Sequence, residues 1–339
     1  MSCSNDSMHN IVQGVRNSNI ELLCIICIAM IIVMHVYGQY RTIDSRVIYH
    51  SSMLCNAFCN AAVSIFVLIS GYYGIRSNMG KWLSLYNVTT FYAIMYLLYY
   101  IVLPNHFVDL TLTVKCLFPV FCNKYWFITS YLMLMALAGF IQRALDGLTQ
   151  NGYKKLILVL SVFVILSPTL FFMEIFNDSG KGFMNMLTIY IIGRYIARFG
   201  LPSSITRYAK ILIPVVITLI WLLDECFSQN IFCRDNSLLI VILAVLVFHY
   251  IVQKPTKYSE VINYLATFVF SIYLIHCIFL NDLVMLMKQT DYPYMVQIWS
   301  SVLILMIVSI MVEFLRKTLL GGGIFVDTNS GRKAVISLH

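Results

Sequence analysis

Apolar residues run along this chain in blocks close to twenty long, separated by short stretches that hold most of the charges. About twenty helical residues span the hydrocarbon core of a bilayer. Ten such spans can be drawn: 20–37, 53–74, 82–103, 126–142, 156–173, 183–198, 208–223, 236–252, 261–280 and 294–315. The pattern predicts an all-α integral membrane bundle of about ten transmembrane helices over residues 20–315, with short terminal segments at 1–19 and 316–339. Pro104, Pro119, Pro202, Pro255 and Pro293 fall at or between these ends. Pro168 and Pro214 fall inside spans, where membrane helices tolerate proline better than soluble ones do.

Composition agrees. Of 339 residues, 60% are hydrophobic and 11% charged, and the mean hydropathy is +0.82. A soluble domain of this length keeps roughly a quarter of its residues charged. The 22 Tyr and 22 Phe suit membrane interfaces, where aromatic rings collect. The first apolar block is too long for a signal-peptide core and lacks a small-residue cleavage site, so it reads as an uncleaved first span. Only 24 residues follow the last span, and no appended soluble domain is expected.

Charge then tests the drawing. On the side holding the N-terminus lie Arg16; Arg76 and Lys81; Arg143, Lys154 and Lys155; Arg194, Arg198, Arg207 and Lys210; Lys254 and Lys257; and four in the tail. These are 16 of the 23 basic residues; the opposite side holds Arg41, Arg46, Lys115, Lys124, Lys181, Arg234 and Lys288. Such a bias predicts cytoplasmic N- and C-termini. The sixth and seventh spans are short, but deleting both would move Arg194, Arg198, Arg207 and Lys210 outside, so ten are kept. The net charge of +8 is accounted for by these loops, and nucleic acid is not an expected partner.

Cys24, Cys27, Cys55, Cys59 and Cys277 lie in apolar runs and read as small hydrophobes. The outer-loop pairs Cys116 with Cys122 and Cys226 with Cys233 allow disulfides in an oxidising compartment. No Cys or His spacing suits zinc, and no metal is expected.

Ionisable groups within a bilayer are costly and therefore candidate functional residues. His35 lies late in the first span, about 20 Å along the helix from Glu21. His276 is the second intramembrane candidate, equally open to a structural helix-to-helix hydrogen bond. His249 reads as interfacial, and the loop residues His106 and Asp109 have no flanking motif. Arg76, Lys81 and the pair Arg194 and Arg198, four apart on one helix face, admit two readings: topology with lipid headgroup contact, or phosphate binding. No nucleophile elbow, Walker loop, dinucleotide fingerprint or His-Glu-x-x-His is present.

Four segments resemble one known family. Arg16-Asn17-Ser18-Asn19-Ile20-Glu21-Leu22-Leu23, leading into a helix that holds His35, resembles the opening of the acyltransferase-3 family. Phe66 to Tyr73, closing on Ser70-Gly71-Tyr72, is similar to its second-span signature. Tyr125-Trp126-Phe127 is similar to its fourth-span entry, and Ser271 to His276 to its Ser-x-Tyr-Leu-Ile-His pattern. The matches stand in family order and cover roughly residues 16–315.

The resemblance implies a ten-helix, multi-pass protein of the cell inner (plasma) membrane. It would transfer an acyl group, commonly acetyl, from acetyl-CoA or another acyl-CoA to a hydroxyl of a cell-surface or lipid-linked carbohydrate. The expected partners are therefore acyl-CoA, a glycan acceptor and membrane lipids. By the same resemblance His35 would be the catalytic base or acyl relay, Glu21 the family's acidic position, and Ser70, Tyr72 and Trp126 part of the substrate pocket. Arg76, Lys81, Arg194 and Arg198 would bind the donor's phosphates.

There are two departures. The family's basic residue eleven positions before the histidine is Cys24 here, and Arg16 would have to fold back to supply its charge. Ala138-Gly139-Phe140-Ile141-Gln142 replaces a Ser-Pro-Phe-Leu-Asn common in bacterial members, at a site that reads as structural. The alternatives are a catalytically altered relative, or a transporter or flippase-like protein for lipid-linked sugars.

Overall fold

A computed structural model describes residues 16–320, apart from 42, 44, 77, 104–105 and 228–229. Most of the N-terminal segment and nearly all of the C-terminal tail drawn from sequence lie outside the described residues. The helices are α1 (Ser18–Tyr40), α2 (Arg46–Cys59), α3 (Ala61–Tyr73), α4 (Met79–Val102), α5 (Leu110–Leu117), α6 (Trp126–Asp146) and α7 (Gln150–Ser161). A π-helical turn (Val162–Leu166) leads into α8 (Ser167–Leu170). There follow α9 (Phe183–Phe199), α10 (Ser203–Phe227), α11 (Leu238–Val252), α12 (Glu260–Ala266), α13 (Val269–Lys288) and α14 (Tyr294–Leu320). Among the described residues there is no strand.

Several helices join end to end, so the chain forms about ten rods. Seven, including the joined Arg46–Tyr73 and Gln150–Leu170, are long and apolar enough to cross a membrane. Of the others, α9 and α11 are short, with 17 and 15 residues, and α10 carries Arg207 and Lys210 near its start. The rods alternate in direction. We call the face at which α1 begins the near face and the opposite one the far face.

Local chemistry sets the ends. The side chains of Asn17, Ser45, Asn78, Asp109, Thr149 and Ser259 each accept a backbone N–H from the first turn of the helix they precede, satisfying donors that the helix cannot. Pro168 lacks the N–H that its rod would need, and the widened π turn just before it absorbs the mismatch. Two rods differ most from the drawn spans. The second begins at Arg46 and bends at Asn60, whose side chain donates to Cys233 O at 2.5 Å. The ninth is interrupted at Thr267–Phe268 and runs on to Lys288, whose ammonium reaches Gln39 O at 2.8 Å. Apolar length alone does not register such polar anchors beyond the hydrocarbon core.

Helix α3 is the most enclosed element, and it crosses α9 at Gly71 and Gly193. A Cβ on Gly71 would stand 2.3 Å from Tyr190 O, and one on Gly193 would stand 2.6 Å from Leu68 O. Only glycine lets the two backbones approach so closely. By contrast α14 exposes Trp299, Leu303, Ile307, Met311 and Phe314, a helical stripe suited to lipid.

Buried charge is compensated near the near face. The Arg316 guanidinium donates to both Glu313 oxygens, at 2.7 and 2.8 Å, and Tyr92 OH also donates to Glu313. Lys317 Nζ donates to Thr267 Oγ1 at 3.0 Å, tying α14 to the break between α12 and α13. Such a network stabilises only while every member is paired.

Candidate functional site

Helix α1 and the α12–α13 rod run parallel and in register. At the near face Ser18 N donates to Lys257 O at 2.9 Å, Ser18 Oγ donates to Asn263 Oδ1 at 2.8 Å, and Ser259 N donates to Ser18 Oγ at 2.7 Å. Seventeen residues along each chain, about 26 Å if helical throughout, His35 meets His276. His35 Nδ1 and His276 Nε2 are 2.8 Å apart, and the rings stack with centroids separated by 5.1 Å. His276 is fully buried and His35 half-buried.

The hydrogen bonds fix who donates. His276 Nδ1 lies 3.1 Å from Ile272 O, which can only accept, so Nδ1 carries a proton. In the neutral ring Nε2 is then an acceptor, and His35 Nδ1–H donates to it. That leaves the lone pair of His35 on Nε2, where it can take a proton from a hydroxyl. The sequence placed both histidines in the membrane; the structure joins them into one unit.

An apolar pocket lies about one to two helical turns nearer the near face than this pair. Ile28 and Ile31 lie seven and four residues before His35, on its face of α1. Val269 and Tyr273 lie seven and three residues before His276, and with Phe270 they form the α13 wall. Val63 and Phe66 of α3 and Phe127 of α6 close it. The expected pocket residues Ser70, Tyr72 and Trp126 stand beside these walls rather than in them. Ser70 Oγ donates to Phe66 O at 3.0 Å, Tyr72 packs on Phe248 at 5.4 Å, and Trp126 packs edge-on against Phe127 at 6.1 Å.

At the base of α1, Arg16 folds back. Its Nε donates to Glu21 Oε1 at 2.8 Å and its Nη1 to Asn263 O at 3.1 Å. A cation therefore sits beside Glu21 although position 24 is a buried cysteine. Burial holds the Glu21 carboxyl among apolar neighbours, and Arg16 supplies its counter-charge.

The basic candidates separate into two kinds. Arg194 reaches Gly71 O and Tyr72 O, each at 3.4 Å, at the end of α3. Arg198 donates to Leu145 O at 3.1 Å and Asp146 O at 3.2 Å at the end of α6. Both close helix C-termini, where a cation suits the carbonyls and the helix dipole. Arg76 is exposed and Lys81 half-buried on the same face. Gln142 Nε2 donates to Ile75 O at 2.7 Å and Tyr190 OH at 2.8 Å, a structural role for the second departure from the family pattern.

The far side brings in residues that the sequence reading passed over. His106 pairs with Asp282 of α13 at 3.0 Å and stacks on Tyr100 at 3.9 Å, while Asp109 caps α5 by accepting from Leu112 N at 2.7 Å. Lys181 lies within electrostatic reach of His35, and Asp235 within reach of Tyr273. Asp235 is buried in the loop before α11, and burial pushes its carboxyl up to about 7 against the opposing pull of Lys181. Apart from the Asp109 cap, no local pattern marks these contacts, since each joins residues of different helices or loops far apart in the chain. His249, expected at an interface, is buried and bonded to Thr206 Oγ1 at 2.9 Å. The nine cysteines among the described residues are free.

A family model described as an acyltransferase domain matches residues 17–315, taking in His35, His276 and the pocket walls. Neither a curated protein nor a solved structure matches the chain. With most of its length inside that match, this multi-pass membrane protein belongs to the acyltransferase-3 family and is an acyltransferase.

Proposed function

We propose that the protein is an O-acyltransferase that moves an acyl group, most simply acetyl, from a coenzyme A thioester to a carbohydrate hydroxyl. The observation that carries this reading is the His35–His276 pair, which lies about one helical turn beyond the pocket walls Ile31 and Tyr273. Thioester-to-hydroxyl transfer needs a base for the hydroxyl, and His35 Nε2 has the lone pair to serve as one. It also favours dry surroundings for the reacting acyl group, and the walls between α1, α3, α6 and α13 are apolar.

On this reading the near face is cytoplasmic, in keeping with its excess of Lys and Arg. Arg76 and Lys81 then meet the donor's phosphates first, because Arg194 and Arg198 are engaged with carbonyls. The far face receives the acceptor. There His106, Asp282 and the ring of Tyr100 give the mixture of hydrogen-bonding edges and flat apolar surface that suits a sugar. The protein would thus work in the plasma membrane on a surface or lipid-linked glycan.

The test is glycan analysis of a deletion strain complemented with wild-type protein or with His35→Ala. Ester-linked acetyl should disappear on deletion, return with the wild type and stay absent with His35→Ala. Unchanged acetylation in the deletion strain would refute the carbohydrate acceptor.

A further inference from the structure

Beside the histidine pair stands a nucleophile that the two-histidine scheme does not use. Cys277 Sγ is 3.4 Å from His276 Nε2, the same atom that accepts from His35. It also lies 3.9 Å from Tyr273 O, one turn nearer the pocket that Tyr273 lines. A thiol held against an imidazole nitrogen is the usual arrangement for generating a thiolate nucleophile.

Two further groups lie within electrostatic reach of the sulfur. Tyr125 is 5% exposed, its hydroxyl is buried and has no hydrogen-bond partner among the described residues, and it lies within electrostatic reach of Cys277. Burial holds the Tyr125 phenol well above its usual range, so it remains a donor in search of an acceptor. Lys124, whose side chain engages Cys116 and whose Nζ sits 3.6 Å above the Tyr96 ring, is also within electrostatic reach of Cys277. An unsatisfied donor and a cation beside a nucleophile suit the negative charge of a tetrahedral intermediate. His276 faces α1, while Cys277, one residue on, meets the loop that precedes α6 at the far side. The thiol therefore stands where the near-side pocket ends and the far-side loop begins.

We infer that Cys277 is a further catalytic residue, which accepts the acyl group from the donor thioester as a protein thioester and passes it to the acceptor hydroxyl. The inference rests on the acyl-CoA reading above. In the first half, the Cys277 proton moves to His276 Nε2, displacing the His35 hydrogen bond. The thiolate bonds to the acyl carbon, the donor's carbon–sulfur bond breaks, and the departing thiolate takes the proton to leave as a free thiol. In the second half, His35 takes the proton of the acceptor hydroxyl and its oxygen attacks the thioester carbon. Cys277 departs as thiolate, and the proton returns to it by way of the two imidazoles. One thioester is consumed, one ester is formed and nothing is oxidised. Exchange of one thioester for another is close to balanced in energy, so the acyl group keeps its activation as it changes sides.

Purified full-length protein would be incubated in detergent with radiolabelled acetyl-CoA and no acceptor, then denatured in acid and mapped by mass spectrometry. Label should appear on the peptide containing Cys277 and be released by neutral hydroxylamine. Cys277→Ala should carry none and should lose transfer by roughly a hundredfold or more, the scale on which a participating catalytic group is felt. Cys277→Ser, nearly isosteric, should fold and remain as impaired. Wild-type protein that transfers acetyl to glycan while Cys277 stays unlabelled, or Cys277→Ala at the wild-type rate, would overturn the relay alone. Wild-type protein that turns over no acetyl-CoA at all would remove the donor reading, and the relay with it.

Discussion

Replacing His276 probes the site most sharply, because its Nε2 faces both the Nδ1 proton of His35 and the Cys277 thiol. Truncation to Ala removes the acceptor 2.8 Å from His35 Nδ1, so the ring can rotate or change tautomer, and the Nε2 lone pair is no longer aimed. A positioned base contributes about 10²–10⁴ in rate, and losing its correct tautomer forfeits much of that. His276→Ala should therefore lower kcat by at least about a hundredfold, close to 3 kcal/mol in the barrier. The stability loss should be far smaller, since an interhelical hydrogen bond in a membrane protein is worth about 0.6 kcal/mol. His276→Gln separates orientation from bulk. Its amide oxygen can reach the region of the lost Nε2, accept from His35, and restore part of the rate. The assay is acyl transfer from acetyl-CoA per folded molecule, with KM and detergent melting temperature measured alongside. An Ala variant within threefold of wild type would refute the tautomer argument, whereas a Gln variant no better than Ala would show that His276 also has to carry a proton, as the Cys277 relay requires.

Three other outcomes follow from the structure. Gly71→Ala drives a Cβ to 2.3 Å from Tyr190 O, and overpacking of this kind should cost about 1–3 kcal/mol, seen as a lower melting temperature; no change would mean α3 and α9 are free to separate. Asp235, with its carboxyl pushed up to about 7 by burial, keeps its proton when folded over a range in which the unfolded chain has lost it, so stability should fall as pH rises from about 4 to about 7 and then level off. The effect is roughly 4 kcal/mol at most, and Asp235→Asn should abolish the slope; an identical pH profile in the variant would sink the assignment. Arg76→Ala should raise KM for acetyl-CoA more than Arg76→Lys, since only guanidinium offers a fork to phosphate, and equal KM values would return Arg76 to topology alone.

The helical bundle was legible because a bilayer imposes its thickness on the sequence as blocks of apolar residues. The lone polar residues within those blocks also stood out, so His35 and His276 were visible as candidates. Their pairing was not, because nothing in sequence specifies which helices become neighbours 241 residues apart. The motif residues Ser70 and Trp126 lie beside Phe66 and Phe127, which wall the apolar pocket, rather than in its walls. Gly71 within the same motif has a packing role that composition cannot distinguish from a functional one. Cys277 was read as filler because a thiol in an apolar run usually is, and only its distance to His276 says otherwise. Arg16 was legible as a residue that would have to fold back to replace the basic position now held by Cys24, and it does fold back, onto Glu21.

The register between α1 and α12–α13 makes these two rods a gauge as well as a scaffold. Both are fastened at the near face through Ser18, and the reactive rings meet seventeen residues beyond the fastening. A helix turns about 100° per residue, so deleting one residue between Ser259 and His276 would swing the imidazole a quarter-turn out of line. Most substitutions over the same stretch would leave it in place. The interruption at Thr267–Phe268, held by Lys317, is where such an error could be partly absorbed by rewinding. Among related chains, the interval between fastening and ring should therefore be less tolerant of change than the residues that fill it.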